Sequence, residues 1–261
     1  GCWEIYHKSG ALKTKGCYNK RGNREGEWAW YHGNGNLNKM VNYKDAKLHG
    51  AYKTYYEDGS PASVGTYANG ELDGNYVVYS KSGKPFKELN YQDGKLEGPA
   101  KHFHKTGELR YTYSNVNGEI DGELKEFFEN GELKSVAPKE NGLRVGTYRE
   151  YHRNKQLYSE VEYVDDNPTG VWKEYYVNGQ LYQEGIFEKG KFEGVIKEYY
   201  YDGMLLDESN YVAGKLNGLS TNYDKDGVKY TEWDYKNGDL IAYRFFNKKG
   251  EEVKSGVKKK G

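Results

Sequence analysis

Nine glycines fall at intervals of 24 residues: Gly26, Gly50, Gly74, Gly98, Gly122, Gly146, Gly170, Gly194 and Gly218. A ruler of this kind means one small unit copied end to end, which excludes a single globule wound around one core. Gly1 opens a further copy, whose step to Gly26 is lengthened by one residue within Lys20–Asn23, and a partial copy follows Ala242. The expectation is a single tandem-repeat domain over residues 1–261, with copies starting near 1, 26, 50, 74, 98, 122, 146, 170, 194 and 218 and a partial one over 242–261.

With the ruler glycine as position 0, position 2 carries a large apolar residue, as in Trp3, Trp28, Tyr52, Tyr76 and Trp172. Position 5 is always a ring, from Tyr6 and Tyr31 through Phe103 and Phe127 to Tyr199 and Tyr223. Positions 8 and 9 read Asn-Gly, Asp-Gly, Ser-Gly or Thr-Gly, for example Asn34-Gly35, Asp58-Gly59 and Asn178-Gly179. Between Tyr-, Thr- and Val-rich runs this dipeptide signals a β-hairpin, and a two-residue type I′ loop is expected there because it needs positive φ twice. Leu is usual at position 11 and Tyr at position 17, and a second Gly at position 20 makes the return turn. Each unit reads as strand, tight turn, strand, turn.

A two-residue loop at positions 8 and 9 would set residues whose positions sum to 17 opposite one another. Positions 3 and 14 then pair Arg149 with Glu160, Lys173 with Glu184 and Lys197 with Glu208. In the first unit the charges trade places (Glu4 and Lys15), and in the second both vanish together (Ala29 and Met40). Positions 2 and 15 set Trp3, Tyr52 and Trp172 each over a bare glycine, Gly16, Gly65 and Gly185. Where position 2 shrinks the ring moves across, as in Ala100 with Tyr113 and Ser220 with Trp233. Covariation of size and charge across a strand pair is what cross-strand contact produces.

The fold class is therefore all-β, an elongated, twisted antiparallel array of about ten tandem 24-residue hairpins. At ~4.8 Å per strand it would run on the order of 100 Å, and strand twist would curl it. Alternation along the strands puts positions 2, 6, 11, 15 and 17 on the face expected to be buried, and positions 1, 3, 5, 12, 14 and 16 on the other. Only 36% of residues are hydrophobic, and that share counts 28 Tyr, which is thin for a conventional core but suits a sheet covered by rings with wet tips.

The 39 basic and 39 acidic residues cancel and pair locally, so no basic stripe for nucleic acid is present. The one charge run, Lys258–Lys260, reads as a frayed, solvated end. No apolar run approaches the ~20 residues of a membrane span. Cys2 and Cys17 occupy positions 1 and 16, which again sum to 17 and permit a disulfide. Three readings stay open: a stapled first hairpin in an exported protein whose signal was lost upstream of Gly1, two reduced thiols in a cytosolic chain, or Cys2 as the lipid-bearing residue of an exported lipoprotein.

The stretches Gly170–Gly194, beginning Gly-Val-Trp-Lys-Glu-Tyr-Tyr-Val-Asn-Gly, and Gly50–Gly74, ending Tyr-Ala-Asn-Gly-Glu-Leu-Asp-Gly, resemble a MORN-repeat variant. The resemblance covers nearly the whole chain and implies an array of β-hairpins used for scaffolding, protein binding or lipid-head-group binding, with no catalysis and no cofactor. Bacterial members of this type carry the label YwqK-type antitoxin, which would imply a toxin partner; no residue here speaks for it. Departures gather at Pro138, Lys139, Arg144, Lys155 and Asp165-Asp166-Asn167-Pro168, as drift at tolerant turns or as a bend.

Four of six histidines, His7, His32, His104 and His152, share position 6. At two strands per repeat they stand ~9.6 Å apart and cannot share a zinc ion, whose ligands lie ~2.0–2.1 Å away. His102 and His104 share a face without a third ligand. Glu126, Glu150, Glu174 and Glu198 form a row at position 4, and neither a nucleophile elbow, a phosphate loop nor a metalloprotease helix motif occurs, so no enzyme is expected. The surface remains. Rings at positions 5 and 12 are expected to pair late in the chain, Tyr151 with Tyr158, Tyr175 with Tyr182, Tyr199 with Leu206 and Tyr223 with Tyr230, as a protein-binding face. Hairpin-on-hairpin packing would need the same rings. The alternative ligand class is a glycan or lipid head group bound by the regularly spaced aromatics.

Overall fold

The structure is a computed structural model and describes residues 1–258. Lys259 and Lys260 of the C-terminal lysine run lie outside the described residues; the Lys258 amide donates to Ile241 O at 2.9 Å. Every regular element among the described residues is a β-strand. The chain divides into two compact units, residues 1–131 and 132–261. The first runs from strand Cys2–Tyr6 to strand Gly122–Phe127, and the second from Leu133–Glu140 to Glu252–Val257. Within each unit, strands pair antiparallel with their sequence neighbours.

The predicted register holds through the body of the hairpins within each unit. Trp172 opposes Gly185 and Lys173 opposes Glu184; Arg149 opposes Glu160. Near the tip it slips by one, so position 5 meets position 11, as in Tyr175 with Leu181. The tip turn explains the slip. Gly179 N donates to Tyr176 O and Tyr176 N to Gln180 O, both at 2.8 Å. Gly179 alone takes positive φ, at 84°, while Asn178 does not. This is a type I turn followed by a glycine bulge, not the expected type I′ loop. The Asn178 side chain stays in a negative-φ position and accepts from Gln180 N at 3.0 Å.

The type I′ geometry sits instead at the return turns, positions 19 and 20. Asn69 and Gly70 have φ of 53° and 102°, and even Asp165 and Asp166 keep the pattern at 48° and 63°. The acidic departure in that unit is thus absorbed without loss of the turn. Arg144 holds it from the neighbouring turn, with Nε 2.8 Å from Asp166 Oδ1.

The extra residue at the tip also corrects the face assignment. Position 11 joins position 5, and position 12 moves to the face of position 6, where Tyr182 lies 4.8 Å from Tyr176 between ring centroids. The buried band is narrow: Trp28, Val41, Ala100, Ala137 and Val161 at positions 2 and 15, with small hydroxyl residues such as Ser63, Ser135 and Ser159 at position 13. The bare glycines are covered, but not by the rings directly opposite. A methyl group at Gly65 would lie 2.5 Å from Tyr76 Cδ2, and at Gly16 it would enter the ring of Trp28, both from the following hairpin. Trp3, opposite Gly16 in register, is 65% exposed. The step into the last hairpin is one residue short: the bond from Lys258 N to Ile241 O repeats that from Tyr18 N to Gly1 O, so position 0 is Ile241 and not Ala242. Cys2 and Cys17 are cross-strand partners and form a disulfide.

Candidate functional site

The rings singled out from sequence fall in the second unit, and the tip bulge divides them between its faces. Tyr151, Tyr175, Tyr199 and Tyr223 oppose Leu157, Leu181, Leu205 and Lys229 rather than Tyr158, Tyr182, Leu206 and Tyr230. The first set stands beside a row of alternating charge. In register order the row reads Arg149, Glu160, Lys173, Glu184, Lys197, Glu208, one residue per strand. Arg149 Nε lies 3.5 Å from Glu160 and Lys197 Nζ 3.8 Å from Glu208. The Tyr175 hydroxyl donates to Glu160 at 3.4 Å and the Tyr199 hydroxyl to Glu184 at 2.7 Å. Burial, then the bond to Glu184 and its charge, push the Tyr199 hydroxyl up to about 12. Tyr175 is pushed up for the same reasons, burial first and then Glu160. On the far side of the charge row, Val171 and its cross-strand partner Ile186 are 53% and 49% exposed.

Tyr158 and Tyr182 look the other way. Tyr158 packs edge-on against His152 at 5.1 Å. Burial and the nearby carboxylates of Glu174 and Glu150 raise its pKa; burial and Glu198 do the same for Tyr182. Glu174 is itself raised by burial and by Glu150. These groups form a row of rings and carboxylates. Among the described residues, no three His, Cys, Asp or Glu side chains are grouped to hold a metal.

The position 6 rings have a different task. The Nε2–H of His32, His104 and His152 donates to Tyr55 O, Phe127 O and Tyr175 O at 2.9–3.0 Å. Tyr56, Tyr176 and Tyr200 make the same bond through their hydroxyls, to Tyr79 O, Tyr199 O and Tyr223 O at 2.7–2.9 Å. Each ties one hairpin tip to the next, which explains why His and Tyr interchange there. Asn34 and Asn154 add a second tie, from position 8 to the next position 7 carbonyl, at 2.7 Å.

One exposed patch centres on a position where the sequence reading places no candidate residue. Position 7, at the outermost point of the tip, is charged in Lys8, Glu57, Lys81, Lys105, Glu129, Arg153 and Lys225 and is glycine at Gly33. In two consecutive hairpins it becomes Val177 and Tyr201, which are 51% and 54% exposed. Met204, at 42%, and Tyr230, at 40%, extend the same apolar tip edge. The Tyr201 ring lies 5.1 Å from Tyr176, which also holds Tyr182. In the sequence this patch shows only as two apolar residues in a mostly charged row.

The model of the MORN repeat variant matches seven segments, residues 24–45, 48–69, 72–93, 120–138, 144–165, 168–189 and 192–213, more than half of the chain. The chain belongs to the MORN repeat variant family. Six of the matched MORN segments span one hairpin from its first strand to the start of its return turn. The hairpin that holds Tyr223 and Tyr230 lies outside the matches yet keeps the same tip bonds, Asp224 N to Val228 O and Gly227 N to Asp224 O. No curated protein matches the chain. Among solved structures, it aligns with a crystal structure of TcdB2-TccC3-TEV at 11% identity over 97% of this chain and 16% of that one, TM-score 0.18. It also aligns with the Photorhabdus luminescens Tc holotoxin pore at 11% identity over 98% and 17%, TM-score 0.19. The chain thus spans about a sixth of the length of these chains, and at such scores the likeness carries no argument.

Proposed function

We propose that this MORN array is a non-catalytic docking module that takes a protein partner on the hairpin tips of its second unit. The replacement of a charged row by exposed Val177 and Tyr201 carries this reading. A charge at the tip of a hairpin costs nothing to keep, whereas an exposed apolar pair weakens solubility unless it is covered. Tyr201, Met204 and Tyr230 are of the types enriched where proteins meet, since rings offer area at little entropic cost and a flexible thioether adapts to the surface it meets. The ties through Tyr176 and Asn178 hold that edge in place. A toxin would be one case of such a partner. The Cys2–Cys17 disulfide supports work in an oxidising compartment.

The test compares the intact protein with the double substitution Val177→Lys and Tyr201→Lys as immobilised bait for extracts, lipid vesicles and glycan arrays. A protein retained by the parent and lost by the variant supports the reading. Equal retention of that protein removes the tips as the site. Retention of vesicles or glycans with no protein replaces the reading by the lipid or sugar one.

A further inference from the structure

We propose that a second copy of this chain packs against the Tyr and ion-pair face of the second unit, related by a two-fold axis that runs along the strands. This surface is separate from the tip edge, and it stands or falls independently.

Six consecutive strands, Gly146–Tyr151, Leu157–Val164, Asn167–Tyr175, Leu181–Glu188, Lys191–Tyr199 and Leu205–Val212, each give one member of the charge row. The signs alternate, positive first and negative last. An alternating row with an even number of members is its own complement when read backwards. A two-fold axis above the sheet, parallel to the strands and midway between Lys173 and Glu184, performs that reversal while leaving height along the strand unchanged. It sets Lys173 of one copy over Glu184 of the other, Glu160 over Lys197 and Arg149 over Glu208. No like charges meet.

The flanking bands match under the same operation. Val171 of one copy meets Ile186 of the other, and both are about half exposed in the single chain. Tyr175 meets Leu181, and Tyr199 meets Leu157, a ring on an aliphatic side chain each time. Within one chain Arg149 pairs laterally with Glu160 and Lys197 with Glu208, at 3.5–3.8 Å, with side chains 29–46% exposed. The second copy supplies each with an opposite charge from above, making a network in place of isolated surface pairs. Six strands at ~4.8 Å spacing and ~17–20 Å length present roughly 500–600 Å² per copy. Doubled, that is about the lower size of a specific interface.

Sedimentation of the full chain over a concentration series in ~50 mM salt tests this, with Glu160→Lys and Lys197→Glu as probes. These positions lie three strands apart, roughly 14 Å in one sheet, so they cannot compensate within a chain. Each single substitution is expected to weaken the dimer at least about tenfold. An equimolar mixture of the two singles is expected to recover parental affinity, because every facing pair is again opposite in sign. Raising salt is expected to weaken the parent dimer. Lys173→Glu mixed with Glu184→Lys serves the same purpose if either first probe fails to fold by circular dichroism. A parent that stays monomeric to ~100 μM, or a mixture no tighter than its components, overturns the proposal.

Discussion

Replacing Gly16 by Ala isolates the packing between successive hairpins. Gly16 does not adopt positive φ, so the backbone accepts Ala without strain. The new methyl group would lie 2.6 Å from Trp28 Cε3 and closer still to Cδ2 and Cε2. Carbon atoms rest at ~3.5–4.0 Å, so the indole must retreat by about 1 Å or more. It has little freedom to do so. Trp28 is 4% exposed, donates from Nε1 to Cys17 O at 3.1 Å, meets Tyr18 edge-on at 5.0 Å and lies 4.6 Å beneath the Arg24 guanidinium. Overpacking of this kind costs about 1–3 kcal/mol, and loss of the indole bond adds about 1 kcal/mol. The expected destabilisation is therefore about 2–4 kcal/mol, read from urea unfolding followed by Trp fluorescence and circular dichroism. A double-mutant cycle identifies the partner: the cost should nearly vanish in a Trp28→Ala background and persist in a Trp3→Ala background. If Trp3→Ala abolishes it instead, the ring over Gly16 is the directly opposed one and the diagonal packing is refuted.

Lys155 holds φ of 70° where other units use the tip glycine, with its Nζ 3.2 Å from Glu132. Lys155→Gly should stabilise by about 0.5–1 kcal/mol, as release of left-handed strain outweighs a surface ion pair; thermal denaturation that shows a loss would count against the turn assignment. Tyr199, held near 12, gives a pH prediction. Its folded pKa lies above the unfolded value of 10.0, so its contribution is complete below pH 10 and is lost as pH rises toward 12. Tyr199→Phe should flatten the alkaline fall of the urea midpoint in that window, and an unchanged slope would contradict the bond to Glu184.

The body of each hairpin was readable because paired positions trade size and charge, as Lys197 with Glu208 or Ala100 with Tyr113, and a strand ladder transmits such exchange directly. The tip was not readable in the same way. Asn-Gly satisfies a type I′ loop, but it equally serves a type I turn whose following glycine alone needs positive φ, and the one-residue bulge between these choices moves positions 11 and 12 to opposite faces. That shift separated Tyr151 from Tyr158 and Tyr175 from Tyr182. The ring over Gly16 was misassigned because register names the neighbour opposite, while a glycine has neighbours on both sides. The Val177 and Tyr201 edge was legible in principle, as a lapse in charge rather than as a motif.

The ties between hairpin tips reach 23 residues, as from Tyr176 to Tyr199, and those between return turns 22, as from Gly214 to Phe192. Such spans keep loop closure short however long the molecule grows. During synthesis at ~5–20 residues per second, a hairpin therefore waits only about one to five seconds for the stretch it docks against to leave the ribosome. Unlike a β-sandwich, whose first strand stays unsatisfied until its last partner emerges, this chain can be completed link by link while it is still being made.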